Sequence, residues 1–277
     1  HIDYYKTFKN LENAFIQFIN KTPPIGKCLI CLDNKNIKKI LIKIKNKNIL
    51  TYGLNKKSNY RISNLRYSVT HSLFDLHYKN LNKKKTVIKN INLRLIGEHN
   101  ILNATAAIAV CINLGVNINI IKKALKNFSG VQRRMTKVFT KNKNEFYDDY
   151  AHHPTEIASI LDGVNQVYKK RKVITVFEPH RYSRILSLKK EFSKSFLKSD
   201  TVLICPLYAA GEKKKLNFNL LNFAKLIAQN SKTQVIIVNS QKELSNYFKK
   251  NLFSDEIIIG MGAGSVSRWM KELKNSL

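Results

Sequence analysis

The sequence predicts an α/β fold, and its second half predicts a doubly wound, mostly parallel sheet. From residue 136 onward, apolar runs typical of strands alternate with amphipathic segments typical of helices. Strands that alternate with helices are joined by crossovers, which produce a parallel sheet covered by helices. The predicted strands are 136–140, 145–149, 172–177, 201–205, 234–238 and 256–260, and the predicted helices are 155–169, 185–198, 219–230, 240–248 and 264–274.

The first half of the chain predicts a separate domain of helices and strands. Residues 48–95 alternate apolar and polar side chains between Asn and Lys turns, which favours several strands. Segment 128–134 predicts a hinge, because the regular strand and helix alternation begins after it. The remaining predicted elements are a strand at 28–32 and helices at 3–20, 36–44, 101–114 and 118–127.

Composition limits the classes of function. The chain has 277 residues, 44% of them hydrophobic, and carries a net charge of +31. Such a charge indicates either a nucleic-acid binder or a compositional drift toward lysine, and it attracts anionic substrates in both cases. The excess is spread along the chain instead of forming one stripe with interleaved aromatic residues, so we favour drift and expect no nucleic-acid partner.

The same composition predicts a protein without a membrane-inserted segment. No apolar run reaches the roughly 18 residues that a transmembrane helix needs. Only four cysteines are present, which fits a reducing cytosol, and we therefore expect a cytoplasmic protein. The chain begins at His1 within a helical pattern, so we expect it to be part of a longer protein.

The segment Asp148–Pro154 is the most informative stretch of the chain. Two acids, a tyrosine and two histidines lie where a predicted strand meets a predicted helix. A packed core has little use for such a junction, because buried charge is costly unless it is paired. Asp148 and Asp149 could act as an acid–base pair, or one could bind a ribose while the other caps the helix at Thr155.

The two adjacent histidines are expected to differ in role. Neighbouring residues point apart and rarely bind one metal ion. His153 precedes Pro154 and is therefore biased toward extended backbone, which favours a structural role. His152 is the better candidate for a functional site.

Arg181 and Arg184 are three residues apart at the start of a predicted helix, so they share one face. Guanidinium groups match the geometry of carboxylates and phosphates, although a solvated basic turn would have the same sequence. Four loops are predicted at one sheet edge, where α/β proteins bind ligands: Asp148–Pro154, Glu178–Arg184, Tyr208–Glu212 and Gly260–Gly264.

The glycine-rich segment Gly260–Gly264 allows two interpretations. It could be a dinucleotide-binding loop, but no acidic residue follows it at about 20 residues. We therefore favour a tight turn whose helix amino end faces a carboxylate or a phosphate. The sequence contains no G-x-x-x-x-G-K-[ST] phosphate loop.

Taken together, these motifs resemble the Mur ligases of bacterial peptidoglycan synthesis. Within that family they are most similar to the members that join L-alanine to UDP-N-acetylmuramate. Pro206 stands where the family more often has an acid. The segments that carry the resemblance are Gly97-x-His99-Asn100-x-x-Asn103-Ala104, Gly130–Arg134, Asp148–Pro154, Glu178–Arg184, Tyr208–Glu212 and the opening His1-x-Asp3-Tyr4-Tyr5.

The resemblance implies that residues 1–129 are the latter part of a central ATP-binding α/β domain. Residues 130–277 would be the C-terminal domain that binds the incoming amino acid. ATP would phosphorylate the muramate carboxylate, and the amine of alanine would attack the acyl phosphate with the help of Mg²⁺. A chain without the phosphate loop would be inactive by itself.

The resemblance also implies site residues. Asn100 and Asn103 would hold adenine, Arg134 the phosphates and Asp149 the ribose of ATP, and His1 would bind the metal. Arg181 and Arg184 would hold the alanine carboxylate, with Tyr150, His152 and His180 lining the pocket, and His152, Arg181 and Arg184 would serve catalysis. The alternatives are a ligase that attaches a tripeptide to UDP-N-acetylmuramate and, in another class, a basic nucleic-acid-binding protein.

Overall fold

The computed structural model describes residues 2–80, 84–215 and 217–277. The chain divides into two compact units, His1–Ser129 and Gly130–Leu277. Both contain a sheet and helices, so the predicted α/β class is confirmed. No helix among the described residues is long and apolar enough to cross a membrane.

The first unit contains a five-stranded sheet of order β1-β2-β3-β4-β5. β1, β2 and β3 are parallel, whereas β3, β4 and β5 are antiparallel. Its strands are β1 Cys28–Cys31, β2 Ile49–Gly53, β3 Tyr60–Tyr67, β4 Ser72–Lys79 and β5 Lys85–Leu93, and its helices are α1 Ile2–Tyr5, α2 Phe8–Asn20, α3 Lys35–Leu41, α4 Glu98–Asn113 and α5 Ile118–Asn127.

The core of the first unit lies between this sheet and α4. Phe74 and Leu76 of β4 pack with Ile101 and Ile108 of α4, and all four are fully buried. The single helix predicted over 3–20 is instead two helices, because Lys6 has a φ of 68° and interrupts the helical backbone.

The second unit contains a six-stranded sheet of order β10-β9-β8-β11-β7-β6. All neighbouring pairs are parallel except β6 and β7, which are antiparallel. Its strands are β6 Thr136–Lys141, β7 Asn144–Asp149, β8 Val173–Phe177, β9 Thr201–Ile204, β10 Gln234–Ile237 and β11 Ile257–Met261, and its helices are α6 Pro154–Val167, α7 Tyr182–Ser187, α8 Lys189–Lys194, α9 Leu220–Ser231, α10 Gln241–Asn251 and α11 Val266–Ser276.

Helices cover both faces of the second sheet. On one face, Phe146 and Val176 pack against Met270 of α11 and Phe248 of α10. On the other face, the ring of Phe177 lies 5.8 Å from that of Phe192 in α8. Successive residues of a strand point to opposite faces, so the continuous apolar strands bury both sides, as the doubly wound prediction requires.

The parallel strands place four loops at one edge. β7, β8, β9 and β11 run in the same direction, so their carboxyl ends meet there. This confirms the co-location predicted from the sequence. The helix predicted over 185–198 is instead the pair α7 and α8, separated at Leu188, whose φ of −119° and ψ of 24° are not helical.

Candidate active site

A line of aromatic rings crosses the carboxyl edge of the second sheet. The ring of Tyr150 lies 5.0 Å from that of His152, and His152 lies 5.5 Å from His180. His180 in turn stacks on Tyr208, with centroids 5.6 Å apart and planes 16° apart. The structure thus brings together the Tyr150, His152 and His180 side chains named from the sequence and adds Tyr208, which follows β9.

His152 has a defined tautomer. Its Nδ1 lies 2.8 Å from the carbonyl oxygen of Tyr150. A carbonyl only accepts hydrogen bonds, so Nδ1 carries the proton and Nε2 is left as an acceptor. Burial lowers the pKa of His152 below its ordinary value, which keeps the ring neutral near pH 7.

His180 has the opposite tautomer. Its Nδ1 lies 3.2 Å from Nη1 of Arg184, and a guanidinium only donates. Nδ1 of His180 is therefore the acceptor, and Nε2 carries the proton. Burial, followed by the positive charge of Arg184, lowers the pKa of His180 to about 4. The two facing imidazoles consequently offer one acceptor and one donor.

The two predicted arginines lie beside this pair. Arg184 is buried, with 4% of its surface exposed, whereas Arg181 is half-buried. Arg181 has a φ of 66°, which is strained for a residue with a Cβ. Two residues after Arg181, Ser183 donates from its backbone N–H and its hydroxyl to the carboxylate of Glu212.

The two adjacent acids, Asp148 and Asp149, accept hydrogen bonds from different residues. Asp149 is 1% exposed, and its oxygens accept the backbone N–H groups of Met135 and Ala151, each at 2.8 Å. Burial raises the pKa of Asp149 to about 6, although these hydrogen bonds oppose the shift. Asp148 accepts from the hydroxyl of Ser267 at 2.6 Å through one oxygen. Its other oxygen is buried without a hydrogen-bond partner among the described residues.

His153, and not an aspartate, caps α6. Its Nδ1 accepts the backbone N–H of Thr155 at 3.4 Å, and Glu156 completes the capping box. The structural role predicted for His153 is confirmed. The suggestion that Asp148 or Asp149 caps Thr155 is wrong, because both carboxylates bind elsewhere in the second unit.

The glycine-rich loop meets a carboxylate, as the tight-turn interpretation predicted. Oε1 of Glu178 accepts the backbone N–H of Ser265 at 2.8 Å and also its hydroxyl. Ser265 directly precedes α11, so the amino end of this helix faces the carboxylate. Oε2 of Glu178 is buried and has no hydrogen-bond partner among the described residues.

Arg133, and not the Arg134 named from the sequence, makes the closer contact with Tyr150. Its guanidinium carbon lies 4.7 Å from the ring centroid of Tyr150, and its Nη2 donates to the carbonyl of Gly262 at 2.6 Å. Arg134 is exposed and lies farther from the same ring, at 5.9 Å. The paired arginines were a usable signal, but the sequence did not show which one faces inward.

The predicted adenine ligands lie in the first unit. Asn100 and Asn103 are on α4, three residues apart and hence on one face. Asn100 donates its side-chain amide to the carbonyl of Ile96 at 2.8 Å, and Asn103 is exposed. The other predicted ATP ligands, Arg134 and Asp149, belong to the second unit.

The predicted metal ligand, His1, lies outside the described residues. Among residues 2–80, 84–215 and 217–277, no group of three or more His, Cys, Asp or Glu side chains could hold a metal ion.

Comparison with known proteins identifies the class. Residues 1–111 match the Mur ligase middle domain, and residues 133–264 match the Mur ligase glutamate ligase domain. The chain therefore belongs to the Mur ligase family, which confirms the resemblance drawn from its motifs.

Two relatives are named as UDP-N-acetylmuramate–L-alanine ligases. The protein of Pelagibacter ubique is 51% identical over 99% of this chain, and that of Brucella anthropi is 34% identical over 100%. The chain spans 59% of the length of each relative.

Solved structures show the same fold. The UDP-N-acetylmuramate–alanine ligase of Thermotoga maritima matches 99% of this chain, and 56% of that one, with a TM-score of 0.72 and 23% identity. The murein peptide ligase of Psychrobacter arcticus matches 96% of this chain, and 54% of that one, with a TM-score of 0.69 and 20% identity. At these identities the likeness concerns the fold alone.

Proposed function

We propose that this chain forms part of an ATP-dependent ligase that joins L-alanine to UDP-N-acetylmuramate. Residues 1–129 would be the latter part of its ATP-binding domain, and residues 130–277 its amino-acid-binding domain. The observation that carries the proposal is the pair of facing imidazoles with opposite tautomers, His152 and His180, beside Arg184. The relative named for this activity, 51% identical over nearly the whole chain, supports the same conclusion.

The pair matches a zwitterionic amino acid. The protonated Nε2 of His180 and the guanidinium groups of Arg181 and Arg184 are donors for a carboxylate. The unprotonated Nε2 of His152 is an acceptor for an ammonium group and can take the proton that the amine must lose before it attacks. Tyr150 lies in ring contact with His152 and would line that side of the amino-acid site.

In the proposed reaction, the muramate carboxylate attacks the γ-phosphoryl group of ATP and releases ADP, and the amine of alanine then attacks the acyl phosphate, loses a proton and displaces phosphate to form the amide. The side chain of Asn103 is exposed and makes no hydrogen bond to another described residue, so its amide is available for the edge of an adenine ring. The exposed charge of Arg134 suits a phosphate group.

The remaining nucleotide assignments are proposals on the family pattern. A ribose hydroxyl would share the Asp149 oxygens with the backbone N–H groups of Met135 and Ala151. On the same pattern His1 would help to hold Mg²⁺, which when bound would neutralise charge on the phosphates. Use of ATP and a nucleotide-linked substrate favours a cytoplasmic location.

Substrate choice separates this proposal from the tripeptide ligase. The full-length protein is incubated with UDP-N-acetylmuramate, ATP and equal amounts of L-alanine and the tripeptide. The products are identified and quantified by mass spectrometry. We expect the alanine adduct and equimolar phosphate. Predominant tripeptide adduct would favour the rival, and the absence of both adducts would overturn the ligase assignment.

A further inference from the structure

We propose that Tyr208 is a positioning residue of the amino-acid site: its ring, held against Gly264, fixes the ring of His180, and its backbone fixes Arg181. The inference rests on the proposed function for its substrate, but the contacts that carry it are independent of that function. It also assigns a role to the loop at Tyr208–Glu212, whose chemistry was left open by the sequence.

The ring of Tyr208 lies in a close-packed position although 43% of its surface is exposed. One side stacks on His180. The ring also meets Gly264, where an added Cβ would lie 2.5 Å from Cγ of Tyr208 and 2.5 Å from Oε2 of Glu178. Only glycine leaves room there, so the observed position of the ring requires glycine at 264.

The backbone of Tyr208 joins the loop that carries the arginines. Its N–H donates to the carbonyl of Pro179 at 2.8 Å, and its own carbonyl accepts the N–H of Arg181 at 2.9 Å. These two bonds form a parallel bridge between Tyr208 and His180. Arg181, which donates one of these two bonds, has a φ of 66°. Strained backbone of this kind persists only when its surroundings hold it in place.

The same loop is attached a second time by Glu212. Its carboxylate accepts from the N–H and hydroxyl of Ser183, two residues beyond Arg181. The segment from His180 to Ser183 is therefore held at both ends by the loop after β9. Loss of the ring alone removes the stacking on His180 while the attachment through Glu212 stays in place, which makes the ring testable by itself.

The test compares Tyr208→Ala, Tyr208→Phe and the control Tyr247→Ala in the full-length protein. Tyr247 is a half-buried tyrosine of α10 whose ring packs on Phe248, and it makes no ring contact or side-chain hydrogen bond with a described residue of the site. We expect Tyr208→Ala to raise the KM for alanine roughly tenfold and to leave the KM for ATP within about twofold, since small misplacements of binding groups are costly. Tyr208→Phe should keep the wild-type KM for alanine, because the phenol hydroxyl makes no hydrogen bond to a described residue.

A double variant tests the contact with Gly264. Gly264→Ala alone should raise the KM for alanine as strongly as Tyr208→Ala, because its Cβ displaces the ring. In the combined variant the two effects should be less than additive, since the ring is already absent. Fully additive effects, or a KM for alanine unchanged in Tyr208→Ala, would overturn the proposal.

An NMR measurement keeps the inference independent of activity. The ring nitrogens of His180 should report a fixed Nε2–H tautomer in the wild type and in Tyr208→Phe, and tautomer exchange in Tyr208→Ala. An unchanged His180 spectrum in Tyr208→Ala would contradict the positioning role even if the protein made no alanine adduct. A protein that lacks ligase activity but shows the tautomer change would instead refute only the proposed function.

Discussion

The amino and carboxyl edges of the second sheet differ in how completely their carboxylates are hydrogen-bonded. At the amino edge, the carboxylate of Glu145 meets Lys137, Arg171 and the hydroxyl of Tyr147. Arg171 also pairs with Asp255 and donates to backbone carbonyls. At the carboxyl edge, Asp148 and Glu178 each keep a buried oxygen without a hydrogen-bond partner among the described residues.

The difference separates an edge whose polar groups stabilise the fold from the edge where we propose that the amino acid binds. A satisfied ionic network holds strands together, whereas an unsatisfied buried acceptor costs free energy that a core would not retain without another use. Positive φ does not follow this division, because Arg133, Met135 and Arg181 have it at the carboxyl edge and Asn142, Lys143 and Asp255 have it at the amino edge. The difference lies in the buried acceptors, which are left without hydrogen-bond partners among the described residues at the edge where we propose that the ligand binds.

The largest expected effect concerns the carboxyl edge. In the full-length protein, Arg181→Ala should raise the KM for alanine about 100-fold and change the KM for ATP little, because a charged hydrogen bond to the carboxylate is lost. Arg181→Lys should fall between the two, since lysine keeps the charge but loses the planar fork. Steady-state kinetics with each substrate varied measures both constants, and equal increases in the two would remove the carboxylate assignment.

A smaller effect is expected at the amino edge, on stability and not on substrate binding. Arg171→Met should lower the free energy of unfolding by about 2 kcal/mol, because it leaves Glu145 with fewer partners. Arg268→Met is the matched control, since its pair with Glu272 is exposed and should contribute under about 0.5 kcal/mol. Urea denaturation measures both. If Arg171→Met raised the KM for alanine without destabilising the protein, the division between the two edges would be wrong.

The smallest expected effect depends on pH. Burial opposes ionisation of Glu145, but hydrogen bonds from Lys137, Arg171 and Tyr147 outweigh it and lower its pKa to about 2. Because the folded-state pKa lies below the ordinary 4.5, this stabilisation is present above that pH and is lost as the pH falls through 2. Glu145→Gln should be less stable than wild type by about 1 kcal/mol at pH 7, after discounting for solvent screening.

The check is a series of urea denaturations between pH 7 and pH 2. The stabilities of the wild type and Glu145→Gln should approach each other toward pH 2, where the carboxyl group is protonated in the unfolded chain and about half protonated in the folded one. A difference that stayed constant over the whole range would show that the ionised form of Glu145 does not contribute.

The sequence predicted the parts of this site that depend on local pattern. The alternation of strands and helices predicted a common carboxyl edge. The position of His153 directly before Pro154 predicted its structural role. The bond from Ser267 to Asp148 could not be predicted, because it joins residues 119 apart in the chain. The contact between Gly264 and Tyr208 could not be predicted either, because it depends on how two loops that are distant in the chain pack together.

The carboxyl edge of the second unit is proposed to bind the amino acid between His152 and His180. The most direct measurement is NMR of the histidine ring nitrogens in the full-length protein, with UDP-N-acetylmuramate and a non-hydrolysable ATP analogue present, as L-alanine is added. We predict that the Nε2 signals of His152 and His180 shift with saturation, while His71 and His77 of the first unit stay unchanged. Saturable shifts confined to His71 and His77, or no shift at His152 and His180 under conditions that give turnover with ATP, would contradict the account.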